Sequence, residues 1–176
     1  MINKFEKNIS IIVEEIMVGK NLKDHGFEHV KRVVQYGKRI IKEEEIDEKY
    51  LLDILAALYF HDVARIDDSK DDTHGKRGVI IFENEIYPLF NFLDLETIVF
   101  TIKNHQNYTS ELGAYPVINN YEINSNINAI VPMVMWDADR LDLPRIEKFR
   151  GKIDLNYLHT HFAKRFANSQ EHLKLY

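Results

Sequence analysis

Apolar positions along this chain recur at helical rather than strand spacing. Near the N-terminus, Phe5, Ile9, Ile12 and Ile16 repeat at steps of four, three and four, which predicts one amphipathic helix. The pattern breaks between Gly19 and Gly26. A second helix is predicted with His29, Val33, Gly37 and Ile40 on one stripe and Val30, Val34 and Ile41 beside it. Asp53 to Phe60 is almost wholly apolar, so it predicts a core helix too short to cross a membrane. The polar run Asp67–Asp72 reads as a loop, and Thr73 as the N-cap of a fourth helix reaching about Tyr87, where Pro88 ends it. Asp94 is expected to cap a fifth helix running to about Gln106. The segment Asn107–Asn126, with Gly113, Pro116 and several Asn, reads as a long loop. A sixth helix carries AIVPMVMWDADRLDL, with Pro132 in its first turn or at a kink. Leu155, Leu158, Phe162 and Phe166 stripe a last helix. No strand-like alternation of useful length appears, nor any repeat or internal boundary. The expectation is an all-α fold, a compact bundle of about six to eight helices forming one domain over residues 1–176.

The chemistry enters where polar residues interrupt these apolar faces. His61 and Asp62 arrive side by side at the end of the core helix. An unpaired buried carboxylate costs several kcal/mol, and an Asp at a helix C-terminus opposes the macrodipole. A positive partner beside Asp62 is therefore expected, and a metal ion taking His61 and Asp62 as ligands would supply it. The bland reading is a surface helix end with two solvated polar groups. His29 shares a stripe with Val33 and Ile40, His105 follows Ile98 and Ile102, and Asp139 follows Val131 and Met135. His74 opens the fourth helix, with Gly78 one turn on, where another backbone has room to approach. A lone His on an apolar face is more often a core residue bonded to a carbonyl. A lone Asp there must be paired. Taken together, oxygen and imidazole groups from several helices suit a divalent Mn, Fe, Co, Mg or Zn ion.

Composition narrows the partners. A net charge of −5 and a pI of about 5.9 do not support a binder of nucleic acid or of anionic membranes. An anionic substrate would need local cations against that background. The absence of Cys excludes a thiolate site and fits a reducing, cytoplasmic setting. MINKFEKNISIIVEEIM carries Glu6, Glu14 and Glu15 through its apolar part, so it reads as an amphipathic helix rather than a signal peptide. No run approaches the roughly 18 apolar residues of a transmembrane span.

The order His29, His61-Asp62, Asp139 resembles the signature of the HD-domain superfamily of metal-dependent phosphohydrolases. HGFEHVKRV resembles that superfamily's first-ligand helix, AALYFHD its HD helix and DADRLDL its last-ligand helix. The resemblance covers about His25 to Leu143 and is closest to small stand-alone bacterial members. It implies an all-α fold with a central mononuclear site of His29, His61, Asp62 and Asp139. It also implies hydrolysis of a phosphate ester or anhydride, with a nucleotide or similar small phosphorylated metabolite as substrate. In such a site a bound ion lowers the pKa of its water to about 7 and polarises a phosphoryl oxygen. Asp62, through its second oxygen, would orient that water. Catalytic roles are expected for Asp62, His105 and Arg65, and phosphate contacts for Arg65, His74, Lys76, Arg77 and Arg140. Arg140 has an alternative partner in Asp137, and Lys76 and Arg77 an alternative fate as a solvated face.

One position departs from some relatives. Several nucleotidase and alarmone-hydrolase members resemble HDxxE, and here that acid is Arg65, with Asp67 and Asp68 at a different spacing. His74 and His105 resemble the extra ligands of two-metal branches, the cyclic-dinucleotide phosphodiesterases and di-iron oxygenases, in which the HD aspartate bridges two ions. The other reading has both histidines touching substrate phosphate or water at a single ion. His25, one turn before His29, joins the site if its helix extends that far. A non-catalytic metal- and nucleotide-binding module is the reading from a different class. Tyr108, Tyr115 and Tyr121 in the long loop are expected to grip a base.

Overall fold

The apolar run at the middle of the chain becomes the helix around which the others pack. In the computed structural model, residues 1–20, 22–106, 118, 126–146 and 153–169 are described. They form α1 (Ile2–Met17), α2 (Phe27–Glu43), α3 (Leu51–Phe60), α4 (His74–Ile81), α5 (Leu95–Asn104), α6 (Ile130–Leu141) and α7 (His161–Asn168), with no strand among them. The all-α expectation holds. Every residue of α3 from Ile54 to Phe60 is buried, which a helix hydrophobic all round requires. Its neighbours are α1, α2, α5 and α6, while α4 lies on α5 and α7 on α2 and α6. The buried apolar side chains form one contiguous cluster, with Trp136, Phe60 and Phe82 its largest fully enclosed members. No helix among the described residues is long and apolar enough to cross a membrane.

Helix ends follow local chemistry. Asp94 caps α5 as expected, accepting from the Thr97 N–H at 3.1 Å, and its other oxygen holds Asn128 Nδ2 at 2.6 Å just ahead of α6. Pro132 falls in the first turn of α6, where its missing N–H costs nothing. Other expectations shift. On α1 the buried face is Phe5, Ile9, Val13 and Met17, while Ile12 and Ile16 are only partly buried beside it. Thr73 stands at the start of α4 without capping it, because its hydroxyl is drawn to Asp71 Oδ1 at 2.9 Å. The helix α4 stops at Ile81, and a π turn (Phe82–Ile86) and a 3-10 turn (Tyr87–Leu89) containing Pro88 continue the coil. Leu155 lies in a separate 3-10 turn, and both it and Leu158 precede α7. Apart from Ile118 and Asn126, the long loop with its three tyrosines lies outside the described residues.

The start of α7 is tied to α6 by one buried carboxylate. Asp137 accepts from the N–H groups of His159 and Thr160, from the Thr160 hydroxyl and from His159 Nδ1, at 2.8–3.0 Å. Thr160 in turn caps α7, accepting from Ala163 N–H at 3.2 Å. Removing that acceptor strands several buried donors, each costing about 1–3 kcal/mol. Asp137→Ala is therefore expected to lose roughly 3 kcal/mol or more of stability in urea titration. A loss below about 0.5 kcal/mol, the range of a neutral surface change, would show that the α6–α7 tie is dispensable.

Candidate metal centre

Four imidazoles from four separate segments converge at the end of α3, and each is oriented from behind. His61, the C-cap of α3, points its Nδ1 at Leu58 O, 2.8 Å away. His74 at the start of α4 does the same with Asp71 O at 2.7 Å, and His105 after α5 with Ile102 O at 2.6 Å. A carbonyl oxygen only accepts, so in all three rings Nδ1 carries the proton. His29 on α2 has Nδ1 2.7 Å from Asp142 Oδ2. Arg32 also donates to that carboxylate from Nε, at 2.9 Å, and from Nη2, while Arg145 Nη1 lies 3.4 Å from it. An acceptor so paired stays ionised, so His29 also donates from Nδ1.

With Nδ1 engaged in each ring, Nε2 is the atom left to bind a cation or a second proton, and the four face one another in two couples. His29 and His61 Nε2 are 3.2 Å apart, and His74 and His105 Nε2 are 3.0 Å apart. Two lone pairs at that distance repel unless a cation or a proton stands with them. Two carboxylates complete the cluster. Asp139 Oδ1 lies 3.3 Å from His29 Nε2 and 3.9 Å from His61 Nε2. Asp62 sits between the couples and divides its oxygens. Its Oδ2 is 3.5 Å from His29 Nε2 and 3.8 Å from His61 Nε2, while Oδ1 is 3.0 Å from His74 Nε2 and 3.4 Å from His105 Nε2. Two ligand-grade triads result, His29–His61–Asp139 and Asp62–His74–His105. Either has the imidazole and carboxylate composition of a divalent transition-metal site.

The electrostatics favour that state. Burial pushes the His61 pKa down to about 4, against the opposing pull of Asp62 and Asp139, so the ring is a neutral ligand near pH 7. His74 is also pushed down, chiefly by burial. Burial alone would raise Asp62, but the surrounding imidazoles of His61, His105 and His74, each a cation and a donor once its Nε2 takes a proton, hold its carboxyl well below the usual range. Burial is likewise overridden at Asp139, where His29, and His61 when it carries a second proton, hold the carboxyl well below the usual range.

A cavity of about 670 Å³ opens on this cluster. Asp62, His74, His105 and Asp139 reach its surface, with Arg65, Lys70, Arg140 and Arg145 among the lining residues. Arg65 and Arg140 are thus brought to the site. Arg140 is also buried against the chain, donating to Tyr157 O and standing 4.0 Å from Asp137. Lys76 and Arg77 are placed elsewhere. Lys76 is exposed. Arg77 binds both oxygens of Asp71 and donates to Ala64 O at 3.0 Å, where it and Lys20, at 2.7 Å from Val63 O, satisfy carbonyls beyond the end of α3. His25 precedes α2 and lines the cavity, its Nδ1 3.0 Å from Asp68 Oδ1. Asp68 also collects the N–H groups of Lys23, Asp24 and His25, and Asp67 those of Ser69, so both acids serve the loops. Asp142 and Arg145 are the residues that sequence reasoning passed over. DADRLDL does contain Asp142 three positions beyond Asp139, the helical spacing that signals a shared face.

The chain matches no protein-family model, no curated protein and no solved structure.

The couple of His74 and His105 depends on close approach of α4 to α5. A Cβ on Gly75 would lie 2.8 Å from Ile102 O and 3.0 Å from Lys103 O, both backbone atoms. A Cβ on Gly37 would first meet the side-chain end of Leu58 rather than backbone. Gly75→Ala is expected to destabilise by roughly 1–3 kcal/mol and to lower Co²⁺ uptake per chain by moving His74. Gly37→Ala is expected to cost stability without altering uptake. Equal uptake by both variants and wild type would show that the α4–α5 approach does not set the His74–His105 couple.

Proposed function

We propose that this chain is a metal-dependent phosphohydrolase of the HD-domain type, cleaving a phosphate ester or anhydride of a nucleotide or similar small phosphorylated metabolite. The observation that carries the reading is the convergence of four Nε2 atoms on Asp62, an arrangement that a cation at each couple would satisfy. The division of Asp62 between the two triads favours two ions over the single four-ligand site. His29, His61 and Asp139 would hold one, His74 and His105 the other, with Asp62 shared. A donor set of four imidazoles and two carboxylates suits Mn, Fe, Co or Zn better than Mg.

Divalent ions held by these residues would supply Lewis acidity and a source of hydroxide near neutral pH. The chain does the rest. Asp142, clamped by Arg32 and Arg145, fixes the His29 tautomer and ring angle. Arg65, Lys70, Arg140 and Arg145 line the cavity where phosphate oxygens would lie. Charge on the cavity surface orders the events. Six aspartates line it against four basic residues, leaving about two negative charges, so the lining repels phosphate until dications reverse its sign. The volume suits a small metabolite rather than a polymer.

The test is a screen of phosphorylated metabolites with Mn²⁺, Co²⁺ and Mg²⁺, read by released phosphate and pyrophosphate. Turnover is expected with at least one ion, and Asp62→Ala should lower it by several orders of magnitude while the far-UV helical signal persists. A site assembled from five segments exists only in the folded chain, so ion at 100 times its dissociation constant adds about 2.7 kcal/mol. Chelator should lower the Tm of wild type but not of a His29→Ala/Asp139→Ala variant. Ion binding without turnover on any phosphate would point to the non-catalytic module. Two irons per chain with colour in air and no phosphate release would point to the oxygenase chemistry.

A further inference from the structure

Arg65 occupies a position that the proposed hydrolysis does not by itself explain. Its side chain is only 12% exposed, yet its Nε–H is one of two buried side-chain nitrogens among the described residues with no hydrogen-bond acceptor. The other, on Arg77, belongs to a guanidinium already engaged with Asp71, Thr73 and Ala64. Arg65 is tied only at the far end, where Nη1 donates to Ser69 O at 3.0 Å. Its Nε lies 3.6 Å from Asp62 Oδ1, too long for a hydrogen bond and short enough for strong charge interaction. That oxygen is the one His74 and His105 approach at 3.0 and 3.4 Å. A fixed positive charge thus stands at the edge of the triad expected to hold a dication, whereas the guanidinium groups near the other triad, Arg32 and Arg145, are paired with Asp142 rather than set against its ligand oxygens. A buried donor without an acceptor carries a desolvation cost, which an incoming anionic oxygen would remove.

We infer, resting on the metal-dependent reading above, that Arg65 makes cation binding at Asp62–His74–His105 conditional on phosphate. Without an anion, the guanidinium and a dication compete for the charge of Asp62 Oδ1, and the second ion binds weakly. With a phosphate oxygen on Arg65 Nε–H, the repulsion is screened at its source and the orphaned donor is satisfied. Binding of the two ligands is then reciprocally coupled, each tightening the other by the same factor. The first triad holds its ion regardless. The second ion enters with the substrate and leaves with the product, so the fully loaded centre forms only when there is phosphate to act on. Phosphate that simply bridged two ions would also tighten the second one, but it would give Arg65 no inhibitory effect on ion binding in the absence of phosphate.

The decisive measurement is calorimetric titration of Mn²⁺ into metal-free protein, with inorganic phosphate or with chloride at matched ionic strength, and needs no turnover. Wild type is expected to bind one ion tightly in both buffers, and a second about tenfold or more tighter with phosphate. Arg65→Gln is expected to bind the second ion about tenfold or more tighter than wild type in chloride, and to gain less from phosphate. Arg65→Lys, which keeps the charge, is expected to behave as wild type. The inference is overturned if Arg65→Gln leaves second-ion affinity in chloride unchanged or lower, if wild type is indifferent to phosphate, or if one ion binds under every condition. Absence of any bound ion would instead remove the metal-dependent reading itself. The wild-type arm stands even where the glutamine variant folds poorly, which its melting curve would reveal.

Discussion

The constraint on which this structure depends is the assignment of one proton on each of four histidines. Three main-chain carbonyls and one buried carboxylate take the Nδ1 protons of His61, His74, His105 and His29. The carbonyls of Leu58 and Ile102 lie three residues before their histidines, within the same helices, so two of the rings are aimed by the turn that precedes them. Each helix end thereby satisfies one of its own orphaned carbonyls with the ligand it presents. The outcome is a set of four Nε2 atoms that, among the described residues, face only one another and the two ionised carboxylates. Polar groups this deeply buried normally find partners within the protein. Here the partner implied is a cation.

The rest of the fold holds these ends together. Helix α3 is apolar on every side because four other helices cover it, and its end is where the helix pattern gives way to His61 and Asp62. Gly75 and Gly78 let α4 come against α5 and the end of α3 closely enough for two imidazoles on different segments to meet at 3.0 Å. Trp136 Nε1 donates to Thr101 O at 3.1 Å, fixing α6 against α5. Asp139 is thereby set beside the rings while its neighbour Asp137 holds α7. Alternation along DADR separates the two tasks, because residues two apart on a helix point to different sides.

Much of this was legible in the sequence because buried charge is costly. His29, Asp62, His74, His105 and Asp139 each stood on or beside an apolar stripe, and the structure brings all of them with His61 into one cluster. What was not legible depended on tertiary detail. The grouping of ligands into two triads turns on which oxygen of Asp62 faces which ring, and periodicity carries no such information. Lys76 and Arg77 resembled phosphate ligands as charges near His74, yet Arg77 is held by a carboxylate and by the carbonyl of Ala64, a demand set by how the chain leaves α3. Asp142 was passed over because its partners Arg32 and His29 lie more than a hundred residues away. The last helix was read too long because Leu155 and Leu158 kept the apolar spacing through a 3-10 turn.

Asp142 also bears on how a cluster this charged stays folded. A single carboxylate buried with His29 would be costly, but Arg32 and Arg145 approach it from α2 and from the turn after α6. Arg145 reaches on to Asp24 O at 2.7 Å, linking the segment before α2 to the cavity wall. The guanidinium pair therefore keeps Asp142 an anion, an anionic Asp142 keeps a proton on His29 Nδ1, and Nε2 is left as the atom that takes either a cation or a second proton. Burial and the charge of Arg145 favour neutral His29, while Asp139 and Asp142 pull the other way and leave its pKa raised. His29 is thus the ring at which a proton most readily takes the place of an ion. Acid should accordingly empty this triad by protonating His29 rather than by unfolding the helices that carry it.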